Sequence, residues 1–223
     1  MNIILIIIIA LNVIISYKGF NDDSFFEKFK FHIGAIKNGE QYRNITSGFL
    51  HADMQHLLFN MVGLFFFAPI IINILGQYVF VMVYVGSLLL GSSLSYYFHK
   101  DNNQYSAIGA SGAVTGVIYA AIVLMPDMTI NFIIPGWLFG IGYLVYSIVG
   151  MKKQLGNIGH AAHFGGAIAG FAIAIVLGHR LALSERLVKP VPFLDFMVEH
   201  QTLTILIGLP ILVLFYLMQT DKI

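Results

Sequence analysis

The chain has 223 residues, of which 58% are hydrophobic and only 10% charged; the net charge is +1 and there is no cysteine. A soluble domain carries about 25% charged residues, so this composition excludes an ordinary water-facing surface, and the near-neutral balance offers no basic face for nucleic acid. The absence of thiols excludes disulfides, a cysteine nucleophile and thiolate-held metal or iron–sulfur sites.

Taken in chain order, seven windows reach or approach the roughly 20 apolar residues that a membrane span needs. They cover residues 3–17, 54–75, 78–98, 111–125, 130–149, 159–177 and 203–218. Nearly every Lys, Arg, Asp and Glu lies between them. The runs are continuous rather than alternating, which predicts helices and not a β-barrel. The expectation is an all-α polytopic membrane protein. The first window lacks a basic start and a small-x-small cleavage site, and reads as a retained anchor helix. The long connection 18–53 mixes charges with Phe25, Phe26, Phe29 and Phe31. Its spacing suits a helix lying at the interface, with Tyr42 near headgroup level. Residues 179–200 read as a linker into the last helix, with 201–223 forming that helix and a tail.

Polar side chains inside spans need partners, and ionisable ones there are functional candidates. Three clusters stand out. The first is His51-Ala52-Asp53-Met54-Gln55-His56-Leu57-Leu58-Phe59-Asn60, where the second window begins. His56 and Asn60 are four apart and share a helix face. The second is Gly109-Ala110-Ser111-Gly112, opening the fourth. A serine flanked by glycines at that spacing suits a nucleophile at a crowded turn. The third is His160-Ala161-Ala162-His163 with Gly165, Gly166 and Gly170 in the sixth. Gly166 and Gly170 form a small-xxx-small pair that lets another helix approach closely.

Windows two, four and six enter from the same side, and each cluster lies at the start of its window. His56, Asn60, Ser111 and His163 therefore lie near one membrane face at similar depth. A Ser–His pair with further hydrogen-bond donors can perform acyl transfer: the histidine takes the serine proton and the donors receive the oxyanion. No acid lies in the spans near His163, so the constellation would be a dyad. Taken singly, each element also has a packing reading. His160, His163 and His56 could alternatively hold a metal or haem, although no His-Glu-x-x-His and no carboxylate ligand within a span supports it. Trp137 and the tyrosines near span ends read most simply as interface anchors.

Together the clusters resemble the rhomboid family of intramembrane serine proteases, whose pattern is His-x4-His-x3-Asn, Gly-x-Ser-Gly and Ala-His-x-x-Gly-x-x-x-Gly on the second, fourth and sixth helices. Here these read His51/His56/Asn60, Gly109-Ala110-Ser111-Gly112, and Ala162-His163 with Gly166 and Gly170. The resemblance implies a six-helix core over residues 1–178 plus a seventh, C-terminal helix. It implies Ser111 as nucleophile, His163 as general base and then acid, and His56, Asn60 and the Ser111 N–H as the oxyanion site. Gly109, Gly112, Gly166 and Gly170 would support these residues, without metal or cofactor. Transmembrane protein substrates and membrane lipids would be the partners. The expected location is a bacterial inner membrane, with a water-filled site opening to the non-cytoplasmic side. Residues 18–53 would form a loop partly in the membrane, and window 130–149 would border lateral substrate access, with Phe59 and Trp137 as candidate gate residues. An inactive, client-binding rhomboid-like protein is the alternative.

Three positions depart from the family pattern. Tyr42-Arg43 stands for Trp-Arg, Ile72 for an acid, and Thr115 for the Tyr or Phe that packs on the histidine. Thr115, or Tyr119 one turn on, is then the candidate for orienting His163. The family topology places the N-terminus in the cytoplasm. Before the last window this sets eight Lys or Arg outside (Lys18, Lys28, Lys30, Lys37, Arg43, Lys100, Lys152, Lys153) against three inside (Arg180, Arg186, Lys189), the reverse of the positive-inside preference.

Overall fold

The computed structural model describes residues 2–126, 128–130, 133–153 and 158–184. Helix α1 (Ile3–Asn21) starts where the Asn2 side chain accepts a hydrogen bond from the Ile4 N–H. Its outer face exposes Ile3, Ile7 and Ile14, and its inner face buries Leu5, Ile8, Asn12 and Ser16.

The connection that follows is a set of short pieces rather than one interfacial helix: α2 (Asp23–Phe29), strand β1 (Phe31–His32), α3 (Ile33–Lys37), α4 (Arg43–Thr46) and a 3-10 turn over Ser47–Phe49. The physical reason lies in Phe31 and Arg43. Phe31, Ile33 and Ile36 are buried together as a small core of their own. The Arg43 guanidinium is buried and donates to the carbonyls of Glu27 (2.7 Å) and Lys30 (2.8 Å) and to the Glu40 carboxylate (2.8 Å). Chain reversals around one cation satisfy backbone oxygens that a lone helix would have satisfied internally. Tyr42, half-exposed, donates to the same Glu40 carboxylate. These bonds hold that carboxyl below the usual range.

Helix α5 (Met54–Leu75) is capped by Asp53, whose carboxylate accepts from the His56 N–H at 2.7 Å. It reverses directly into α6 (Gln77–His99) through Gly76, whose φ of +87° few side-chain-bearing residues adopt. Strand β2 (Ser106–Ala107) pairs antiparallel with β1, Phe31 opposite Ala107, and so ties the first connection to the segment that leads into α7 (Ser111–Leu124). The apolar window expected to begin at residue 130 begins as a helix only at Gly136. Thr129–Ile130 (β3) and Ile134–Pro135 (β4) form a short hairpin before α8 (Gly136–Lys153). Pro135 accounts for the shift, since the residue before a proline is driven to extended backbone. Helix α9 (His160–Ser184) completes the described fold. The window 203–218 and the linker before it lie outside the described residues.

The chain is an all-α polytopic membrane protein. Among the described residues, four stretches, α1, α5, α6 and His160–Gly178 of α9, are long and apolar enough to cross a membrane. Helix α7 is different: its 14 residues rise only about 21 Å at about 1.5 Å per residue. That is on the order of 10 Å less than the hydrocarbon core. It is also buried on nearly every side, between α5, α6 and α9. Ser111 is the first residue of this short central helix.

Close packing of α9 sets the interior. Apolar attraction between helices vanishes in lipid, so backbone-to-backbone approach has to supply the contact. A Cβ at Gly166 would collide with the Gly112 carbonyl, and one at Gly170 with that of Gly116. On the adjoining side, a Cβ at Gly165 would lie 2.8 Å from the Gly91 Cα of α6. Gly142, on α8, has open space where its Cβ would be. Gly166→Ala is therefore expected to destabilise the protein by about 1–3 kcal/mol, read as a lower thermal midpoint in detergent. Gly142→Ala should leave that midpoint unchanged or raise it slightly.

Candidate active site

Ser111 is the first residue of α7, and the turn before it is built by Gly109, at φ +116°. A Cβ at Gly109 would lie 2.6 Å from the His56 ring. Glycine is thus required there twice, for conformation and for space. The Gly109 N–H donates to the Ser47 carbonyl (3.0 Å) and the Ala110 N–H to His51 Nε2 (3.4 Å). The Ser111 N–H, in the first turn of α7, has no intrahelical acceptor by geometry, and the helix dipole there favours negative charge.

His51 is fully buried just before α5. Because its Nε2 accepts from Ala110, its proton sits on Nδ1 and is donated to Ser16 Oγ (2.7 Å), which in turn donates to the Phe49 carbonyl (2.9 Å). This chain of bonds runs from α1 to the turn under Ser111. Burial, aided by nearby His56 and opposed by Asp53, pushes the His51 imidazole down to about 3.

His163 lies one turn into α9, buried, with Nε2 2.8 Å from Ser111 Oγ. Its other nitrogen, Nδ1, lies 3.0 Å from the phenol oxygen of Tyr143 on α8. Thr115 donates to the Ser111 carbonyl (2.7 Å), and the Tyr119 hydroxyl donates to the Gly140 carbonyl of α8. The ring partner of the histidine is thus Tyr143, which the sequence reading did not single out. Its signal was weak: one of two tyrosines among the apolar residues of α8, in a stretch without a recognisable motif.

Asn60, buried on α5, uses one amide hydrogen to reach the His56 carbonyl (3.0 Å). A cavity of about 240 Å³ brings His56, Asn60, Ser111, Thr115, Tyr119 and Tyr143 together. Phe59, 66% exposed on the outer face of α5, and Phe139 of α8 are part of its wall. Trp137 is not among its lining residues and is partly exposed at the start of α8. A second cavity, about 510 Å³, is lined by His56, His99, Tyr105 and His160 among others. His56 borders both. Gly112, Gly166 and Gly170 bring α7 and α9 together beneath the Ser–His contact. His160, buried over Gly150, packs edge-on against Tyr146 at 5.0 Å. Among the described residues, no three His, Cys, Asp or Glu side chains converge to hold a metal ion.

A half-buried hydroxyl and a buried imidazole in contact, bordered by an amide, a second imidazole and a helix N-terminus, form a constellation suited to acyl transfer within a polytopic helical protein. Comparison with known proteins agrees with the fold: the Rhomboid domain family model matches residues 38–180. The chain belongs to the rhomboid family. It is 29% identical over 182 residues to rhomboid-like protein 12, mitochondrial, of Arabidopsis thaliana, covering 73% of this chain and 54% of that protein. It is 33% identical over 149 residues to the presenilin-associated rhomboid-like protein, mitochondrial, of Rattus norvegicus (64% and 39%). It is 30% identical over 145 residues to rhomboid protease GluP of Bacillus subtilis (64% and 27%). The aligned part thus spans about half or less of these relatives' own lengths.

The buried His51 makes acid stability testable. The group titrates near 6.5 when unfolded and at about 3 when folded, so the unfolded chain binds its proton first. The stability it confers is complete above about pH 6.5 and is lost progressively as the pH falls toward about 3. The melting midpoint of wild type should fall as the pH drops through that range, and His51→Gln should remove part of the pH dependence. An identical pH dependence in both proteins would mean that His51 is not held neutral.

Proposed function

We propose that the chain is an intramembrane serine endopeptidase acting on transmembrane segments of other membrane proteins. The observation that carries this reading is the 2.8 Å contact between His163 Nε2 and Ser111 Oγ at the edge of a cavity within the bundle. Family membership and a protease-named relative add to it.

In this mechanism, Ser111 Oγ attacks the scissile carbonyl carbon while His163 Nε2 takes its proton. The carbonyl oxygen becomes an oxyanion, received by the Ser111 N–H, the Asn60 amide and the His56 ring. His163 then gives the proton to the leaving amine, which departs as the tetrahedral intermediate collapses to an acyl-enzyme. Water, supplied through the larger cavity beside His56, attacks that ester with the same histidine as base, and Ser111 is regenerated. A substrate helix hides each carbonyl in a hydrogen bond to the N–H four residues on. Substrates should therefore carry a locally unwound or easily unwound stretch at the cut. Access for such a stretch lies at the cavity wall of Phe59 and Phe139, between α5 and α8.

A serine-reactive fluorophosphonate probe tests the assignment directly. Wild type is expected to label at Ser111, identified by peptide mass, while Ser111→Ala and His163→Ala do not label. Unreduced labelling in His163→Ala would remove the dyad. A folded wild type that never labels would favour a binding protein without hydrolytic activity.

A further inference from the structure

The dyad lacks the carboxylate that orients histidine in a Ser-His-Asp triad. Among the described residues the acids Asp22, Asp23, Glu27, Glu40, Asp53 and Asp101 all lie at helix ends or in connections. For Nε2 of His163 to take the Ser111 proton it must hold a lone pair, so the ring proton must sit on Nδ1. A buried N–H needs an acceptor. The atom at Nδ1 is the phenol oxygen of Tyr143, at 3.0 Å. A phenol oxygen can accept there only if its own proton goes elsewhere. Thr115 lines the same cavity as Tyr143 and carries a hydroxyl that can take that proton. Thr115 Oγ1 donates its proton to the Ser111 carbonyl at 2.7 Å and keeps lone pairs free to accept.

We propose that Tyr143 is the positioning residue of the histidine: its phenol oxygen accepts the Nδ1–H of His163 and so fixes the tautomer in which Nε2 can draw the Ser111 proton. The inference rests on the dyad reading above. Every donor then has one acceptor: Ser111 O–H to His163 Nε2, His163 Nδ1–H to Tyr143 Oη, Tyr143 O–H to Thr115 Oγ1, and Thr115 O–H to the Ser111 carbonyl. The circuit starts and ends on Ser111 and contains no charge, which suits a site inside a membrane, where a buried carboxylate would be costly. When the imidazolium forms during the reaction, the phenol oxygen faces its Nδ1–H and stabilises it without moving.

Two further contacts hold Tyr143 in place. Phe139, one turn earlier on α8, stacks on its ring at 5.8 Å and 15°. The Tyr119 hydroxyl ties α7 to the Gly140 carbonyl of α8, three residues before Tyr143. The Tyr143 and His163 rings are 5.8 Å apart and tilted by 33°, so an oxygen-to-nitrogen bond, not ring stacking, is the orienting contact. Because Tyr143 belongs to α8, an element that borders the cavity wall, the tautomer of the base depends on where α8 sits.

The test uses the full chain in detergent micelles with the fluorophosphonate probe and with ring-labelled histidine. Tyr143→Phe keeps the ring and removes only the oxygen. Its maximal labelling rate should fall about three- to tenfold, as expected for one neutral hydrogen bond, with the probe concentration for half-maximal rate unchanged. Thr115→Val should lower the rate in the same direction, and it carries the kinetic test if Tyr143→Phe loses its melting transition. Nitrogen NMR, with the His163 signal assigned by its loss in His163→Ala, should find wild type protonated on Nδ1 and Tyr143→Phe a mixture of tautomers. Wild-type labelling rates in both variants, or a wild-type His163 protonated on Nε2, would overturn the proposal and leave the dyad standing. A folded wild type that does not label would overturn the dyad, and the role of Tyr143 with it.

Discussion

The structure depends on the contact of α9 with α7 through bare backbone. In lipid, two helices gain little by burying apolar side chains against each other, because the lipid tails already solvate them. What distinguishes the native packing is atom density at close range, and Gly166 and Gly170 against the Gly112 and Gly116 carbonyls supply it. His163 lies one turn before Gly166, and Ser111 immediately before Gly112. The glycine contact therefore fixes the separation of the Ser111 and His163 side chains. An added Cβ between these backbones would move the imidazole by a fraction of an ångström to an ångström, an amount that matters for proton transfer.

A second constraint comes from outside the bundle. Arg43 gathers the carbonyls of the first connection, β1 pairs with β2, and the Ser47 carbonyl takes the Gly109 N–H. His51, just before α5, joins this by bonding Ser16 of α1 on one side and Ala110 on the other. The turn beneath Ser111 is thus held by the first connection, through Ser47 and His51, and behind it by Ser16 of α1.

Much of this was legible in the sequence because hydrocarbon punishes polarity. Ser111, His163, His56 and Asn60 stood out as polar groups in apolar windows, and the helices α5, α6 and α7 begin and end within a residue or so of the apolar runs. The glycine spacing in α9 was readable for the same reason. Other features escaped. The start of α8 was misplaced because a hairpin of Thr129, Ile130, Ile134 and Pro135 is as apolar as a helix, and only Pro135 signals the difference. The first connection read as one amphipathic helix because the pattern of phenylalanines cannot reveal that Arg43 will fold the chain around itself. Tyr143 was invisible for a deeper reason: its partner lies on another helix, and no periodicity within α8 encodes which neighbour its phenol will meet.

The central claim is that Ser111 cuts peptide bonds within a membrane. The most direct measurement reconstitutes the full chain in liposomes with a single-span protein carrying a glycine-containing, readily unwound segment, and reads product masses over time. The account predicts one cut inside the membrane-embedded segment by wild type and none by Ser111→Ala. Equal cleavage by Ser111→Ala, or a wild type that labels with the serine probe yet leaves every membrane-embedded segment intact, would contradict it.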